Sequence, residues 1–174
     1  YFDNDNGNSS GSAYVFTRSG AQWSQTVRLT AADAEAGDRF GRSLVLGDDG
    51  LLSGAADDDH AGGADAGSVY VFQNASGVWG QTQRLTASEG AAGDKFGSYV
   101  ATDGPVAMIG APGESAAAGA GCLLTFAGGA WSYGVGDGYP SSAPETKREP
   151  LSRLMPPSGH LGLRWEDPGE RVWA

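Results

Sequence analysis

Six short blocks of this sequence recur at one fixed offset, and that regularity restricts the fold more than any other feature. Gly11-Ser12-Ala13-Tyr14-Val15-Phe16 returns as Gly67-Ser68-Val69-Tyr70-Val71-Phe72, and Trp23 returns as Trp79. Gln25-Thr26 returns as Gln81-Thr82, and Arg28-Leu29-Thr30-Ala31 as Arg84-Leu85-Thr86-Ala87. Gly37-Asp38-Arg39-Phe40-Gly41 returns as Gly93-Asp94-Lys95-Phe96-Gly97, and Gly54-Ala55-Ala56 as Gly110-Ala111-Pro112. Every pair is 56 residues apart, and a third copy begins two residues early, at Gly121-Cys122-Leu123-Leu124-Thr125-Phe126. A repeat of this kind belongs to stacked arrays or propellers, in which one unit cannot bury its own apolar surface.

Within a unit the pattern reads as four short strands, near 41–46, 51–55, 68–72 and 79–85. Ser68–Phe72 carries the β-branched and aromatic residues that suit a buried strand. Asp48-Asp49-Gly50 and Ser76-Gly77 read as tight turns, since Gly accepts positive φ and Asp or Ser bonds its own turn. Gly makes up 29 of the 174 residues, which supports many turns and opposes long helices. Four antiparallel strands per unit is the plan of a propeller blade, and blades must stack to cover both faces.

These blocks resemble the FG-GAP repeats of integrin α-subunit head domains and of bacterial proteins. Phe96-Gly97 and Gly110-Ala111-Pro112 carry the full signature, and Phe40-Gly41 with Gly54-Ala55-Ala56 carries it with Ala for Pro. The resemblance covers residues 1–131 and implies an all-β fold. It implies a partial β-propeller of about two and a half four-stranded blades, with units near 1–31, 40–87 and 96–131. It also places the Phe of each Phe-Gly between blades, with Gly allowing close backbone approach. Trp23, Trp79 and Trp131 read as core or inter-blade aromatics, and Cys122 as a buried strand residue. Asp38 and Asp94 read as turn residues.

The loop after the second strand reads Asp57-Asp58-Asp59-His60-Ala61-Gly62-Gly63-Ala64-Asp65. Carboxylates at positions 1, 3 and 9 with Gly at 6 match the spacing of a calcium loop, which must curl to offer 6–8 oxygens. By the resemblance, Asp57, Asp59 and Asp65 are the side-chain ligands. Ala61 stands at position 5, where the family carries Asp or Asn. One repeat earlier, Asp3, Asp5 and Asn6 form a second oxygen-rich loop. The third loop holds only Glu114 and is expected to bind nothing. His60 falls outside the ligand pattern and reads as a surface residue.

A net charge of −10, with Lys95 and Lys147 the only lysines, excludes phosphate-backbone recognition. The weakly apolar, Gly-rich stretch 115–136 does not read as a membrane span. No Gly-x-Ser-x-Gly elbow, Walker A loop, His-Glu-x-x-His or Cys-x-x-Cys is present, so the chain reads as a non-catalytic binding module. From 132 to 174 the repeat stops, and six of the eight prolines fall there. That tail reads as linker or disordered segment, as a docking segment, or as a further repeat read out of frame. The leading expectation is a calcium-stiffened module for extracellular binding or adhesion, to a protein or glycan. Further blades of the same protein, or self-association, would complete it. The alternatives are an accessory domain of a secreted hydrolase and a structural propeller without metal.

Overall fold

In a computed structural model, residues 7–114 and 118–133 are described. The N-terminal loop bearing Asp3, Asp5 and Asn6 lies outside them, as does the tail from residue 134. The ten strands are β1 (Ala13–Ser19), β2 (Gln22–Leu29), β3 (Ser43–Gly47), β4 (Gly50–Ala55), β5 (Ser68–Ala75), β6 (Val78–Leu85), β7 (Tyr99–Asp103), β8 (Val106–Ala111), β9 (Ala120–Ala127) and β10 (Ala130–Tyr133). They form three antiparallel meanders: β1-β2, β3-β4-β5-β6 and β7-β8-β9-β10. The four strands expected in the complete unit are all present, and β10 runs two residues past the expected boundary at 131. Among the described residues no helix is long and apolar enough to cross a membrane.

The turns follow the local chemistry. Gly47 pairs with Gly50 across Asp48-Asp49, with Gly50 at φ 124°. Ser76 and Gly77 both take positive φ, the geometry of a two-residue hairpin turn, and Asn74 Oδ1 accepts the Gly77 N–H at 2.7 Å. The register of β5-β6 shifts at Val71/Phe72, and that of β1-β2 shifts at the repeat-equivalent Val15/Phe16. The repeat thus preserves its bulges as well as its strands.

The core lies between sheets. Because side chains alternate along a strand, β5 sends Val69 and Val71 into one cluster and Tyr70 and Phe72 into another. The first cluster joins the second sheet to the third, through Leu52, Val69 and Val71 against Phe96, Ile109 and Leu124. The second joins the first sheet to the second, through Ala13, Leu29 and Phe40 against Leu51, Tyr70 and Phe72. The middle sheet is therefore covered on both faces, as a stacked array requires.

Both Phe-Gly dipeptides sit at these seams. Phe40 makes edge-on contacts with Tyr70 and Phe72, with ring centroids 5.7 and 5.8 Å away, and Phe96 is fully buried. The glycine requirement is clearest at Gly54, where a Cβ would fall 1.9 Å from the Gly97 carbonyl oxygen. No side chain fits there unless the backbones separate.

The tryptophans divide. Trp131 is buried and packs on Phe126 at 5.3 Å, and Trp79 is half-buried against the second cluster. Trp23 is exposed on β2, with the Arg18 guanidinium 6.0 Å from its ring, which corrects its reading as an inter-blade residue. The reason lies in the repeat. The face of the second sheet that holds Trp79 is covered by the first sheet, and the same face of the first sheet carries no such cover among the described residues.

Candidate functional site

The acidic loop is held against the Gly-Asp-x-Phe-Gly segment of the next repeat, backbone to backbone. Gly93, Lys95 and Phe96 N–H groups donate to the carbonyls of Ala64, Asp65 and Ala66 at 2.9, 3.1 and 2.9 Å. One repeat earlier, Gly37, Arg39 and Phe40 donate in the same way to Asn8, Ser9 and Ser10, each at 3.0 Å. Gly67, at φ 85°, ends the loop, and a Cβ on it would lie 2.2 Å from the Phe96 carbonyl oxygen. Arg39 and Lys95 take φ 57°, so each clamp turns through a left-handed residue.

Asp38 and Asp94 tie these segments as turn residues. Asp38 Oδ2 accepts the Glu35 N–H at 2.6 Å, and Asp94 Oδ2 accepts the Ala91 N–H at 2.7 Å. Burial pushes the Asp38 carboxyl up to about 6, against the lowering effect of that hydrogen bond. A carboxyl whose folded value exceeds its unfolded value favours folding while protonated. Stability should therefore fall as pH rises from about 4 to about 6 at this residue, by up to ~3 kcal/mol. Asp38→Asn keeps an acceptor for Glu35 and should flatten that part of the curve, read by urea denaturation at pH 4 and pH 6.5.

The three carboxylates assigned to calcium do not converge on a common point. Asp57, its side chain almost buried, places Oδ1 2.5 Å from Lys95 Nζ and Oδ2 2.6 Å from Arg39 Nη1. Asp59 Oδ1 accepts the Asp65 N–H at 2.7 Å. Asp65 Oδ2 lies 3.5 Å from the same Lys95 Nζ. The hydrogen bond to Asp57, reinforced by the charges of Asp57 and Asp65, holds the Lys95 ammonium above its ordinary range. Among the described residues no group of three or more His, Cys, Asp or Glu side chains is placed to hold a metal. As folded, the loop sets a cationic group against each oxygen of Asp57, Lys95 by a hydrogen bond and Arg39 by an ion pair alone, so that Asp57 Oδ2 is buried without a hydrogen bond. Asp3, Asp5 and Asn6 lie outside the described residues.

His60 does more than occupy the surface. Its Nδ1 accepts the Gly62 N–H at 2.9 Å, so Nε2 carries the proton and donates to the Gly67 carbonyl at 3.1 Å. The ring braces the loop from inside.

A second group of residues was not singled out by the calcium spacing. Asp58 is buried and accepts hydrogen bonds from Arg84 Nη2 at 2.5 Å and from Ser68 Oγ. Arg84 also reaches Asp33 Oδ2 at 2.7 Å, in the loop after β2, and its guanidinium lies 5.7 Å from the Tyr70 ring centroid. The repeat itself carried the signal, since Ser12/Ser68 and Arg28/Arg84 are polar residues that recur inside apolar strand blocks. In the third repeat the network is broken: Glu114 stands at the Asp58 position, Cys122 at the Ser68 position, and Leu124 at the Tyr70 position. Burial raises the Glu114 carboxyl above its ordinary range, with Asp94 and Glu89 adding to the shift.

Sheets that meet face to face, joined by recurring Phe-Gly clamps, define an all-β repeat protein of the β-propeller kind. Two stretches, residues 23–72 and 79–122, match the FG-GAP repeat family, and the chain belongs to it. No curated protein matches the chain.

Proposed function

We propose that the chain is a non-catalytic module that completes itself by packing its open sheet faces against further sheets of the same repeat. The completed assembly would serve binding or adhesion outside the cell, with a protein or glycan as ligand. The observation that carries this reading is a comparison of equivalent residues. Leu52 and Val69 of the middle sheet are 1% and 0% exposed, while their counterparts on the third sheet, Met108 and Leu123, are 56% and 42% exposed. On the other side, Tyr70 and Phe72 are 0% and 4% exposed, while Tyr14 and Phe16 of the first sheet are 47% and 50% exposed.

Each open face is thus one half of a seam already present in the molecule. The face of Met108 and Leu123 corresponds to one that a following sheet covers, and the face of Tyr14 and Phe16 to one that a preceding sheet covers. For the 174-residue chain in solution, the occupant is a second copy. The contact is head to tail, which builds rings where the rotation closes and open arrays where it does not. Large exposed apolar patches of this kind mark association surfaces.

Sedimentation velocity tests the reading. The native chain should associate with rising micromolar concentration. Met108→Asp/Leu123→Asp should remain monomeric with an unchanged β-sheet circular dichroism spectrum. A native chain that stays monomeric throughout that range would defeat the reading.

A further inference from the structure

We infer that Lys95 is a built-in cation of the acidic loop, and that the loop is pinned by the protein's own ammonium and guanidinium groups instead of a metal. The sequence spacing of Asp57, Asp59 and Asp65 suits calcium, yet a cationic side chain already stands where Asp57 and Asp65 face each other. Lys95 Nζ lies between the first and ninth positions, 2.5 Å from Asp57 Oδ1 and 3.5 Å from Asp65 Oδ2. Arg39 Nη1 lies 2.6 Å from the remaining oxygen of Asp57, an ion pair that makes no hydrogen bond. Asp59 Oδ1 accepts the Asp65 N–H. Carbonyls of the loop accept backbone N–H groups as well, among them that of His60 from Gly63 at 2.8 Å and that of Asp65 from Lys95 at 3.1 Å. Ala61, at position 5, has no side-chain oxygen. A calcium ion shared by Asp57 and Asp65 would have to displace the Lys95 ammonium that lies between them.

The substitution also gives the loop a second task. Arg39 and Lys95 occupy the same position in successive repeats, 56 residues apart. Both meet on Asp57, so one nearly buried carboxylate links the clamp on each side of the middle sheet. Two cations against the three carboxylates Asp57, Asp59 and Asp65 reduce the charge of the cluster from −3 to −1. Ordinary ion pairs on exposed side chains contribute little. Here the carboxylate is almost buried, and the Lys95 backbone is fixed by its bond to Asp65, so less side-chain freedom is lost. In the third repeat Gly113 replaces this aspartate, and its Cβ would lie 1.8 Å from the Gly93 carbonyl oxygen. The pin therefore belongs to the middle repeat.

Thermal melts and calcium calorimetry on the full chain test the inference. Asp3→Ala/Asp5→Ala silences the N-terminal oxygen-rich loop and is the background, taken as native here, for every measurement; that chain should melt at the same temperature in millimolar calcium and in chelator, with no calorimetric binding signal. Lys95→Met should lower the midpoint by about 2–5 °C in both solutions, and Lys95→Arg should restore most of the loss. High salt should lower the native midpoint and leave that of Lys95→Met nearly unchanged, since screening acts on the pin. A calcium-dependent rise of the native midpoint, or a Lys95→Met chain that melts with the native one, would overturn it. The calcium comparison on the native chain stands even where a variant fails to fold.

Discussion

Asp58→Ala should lower the unfolding free energy by about 3–5 kcal/mol, because it leaves the Arg84 guanidinium without its buried partner. Asp58 is 3% exposed and accepts from both Arg84 and Ser68. Its backbone is fixed too, with its N–H on the Ala55 carbonyl and its carbonyl receiving the Gly67 N–H. Removing the carboxylate leaves the guanidinium beside Tyr70 with the half-exposed Asp33 as its carboxylate partner among the described residues. Asp58→Asn retains an acceptor and should lose less. Glu114→Gln, at the equivalent place in the third repeat, should change little, since no arginine is paired with it among the described residues. Urea denaturation followed by tryptophan fluorescence gives all three values. Equal losses at Asp58 and Glu114 would show that the ion pair adds nothing beyond its position in the repeat.

Phe96→Ala should cost a similar ~3–5 kcal/mol, the range for deleting a fully buried aromatic ring. Phe96 sits in the seam between the second and third sheets, with Leu52, Val71 and Ile109 in the same cluster. Its backbone N–H is bonded to Ala66 across that seam, so the surrounding chain has little freedom to collapse into the cavity. Phe96→Leu should recover a substantial part of the loss. Because the ring joins two sheets, the variant should also broaden the unfolding transition as the sheets uncouple. Denaturant melts monitored at two wavelengths would show it, and a sharp, native-like midpoint would contradict the placement of Phe96 at the seam.

The seams were legible because they repeat. One offset of 56 residues assigned four strands to a unit, and the alternation in Val69-Tyr70-Val71-Phe72 already required a cover on each side of β5. Phe-Gly and Gly-Ala-Pro marked the contact points, since close backbone approach tolerates only Gly, as at Gly54. The exposure of Trp23 was not legible, because the sequence of β2 carries no mark of a missing neighbour.

The cationic partners of the acidic loop were not legible for a related reason. Spacing reports which oxygens can curl round one point, and it is blind to a cation brought from another repeat. Lys95 reaches Asp57 from 38 residues away, through the clamp between Lys95 and Asp65. Asp58 escaped notice because its partners, Ser68 and Arg84, lie on two different strands and meet it only once β5 and β6 pair. Electrostatic partnerships between distant segments depend on register, which local patterns do not encode.

The head-to-tail packing of open faces is tested most directly by disulfide trapping between two single-cysteine surfaces. Tyr14→Cys is placed on the open face of the first sheet, and Leu123→Cys on that of the third, with Cys122 buried in both chains. Mixing the two variants under mild oxidation should give a mixed disulfide between one chain of each kind, in excess of either self-linked dimer. Absence of cross-links, or self-linked dimers alone, would contradict head-to-tail stacking of sheets of the same repeat.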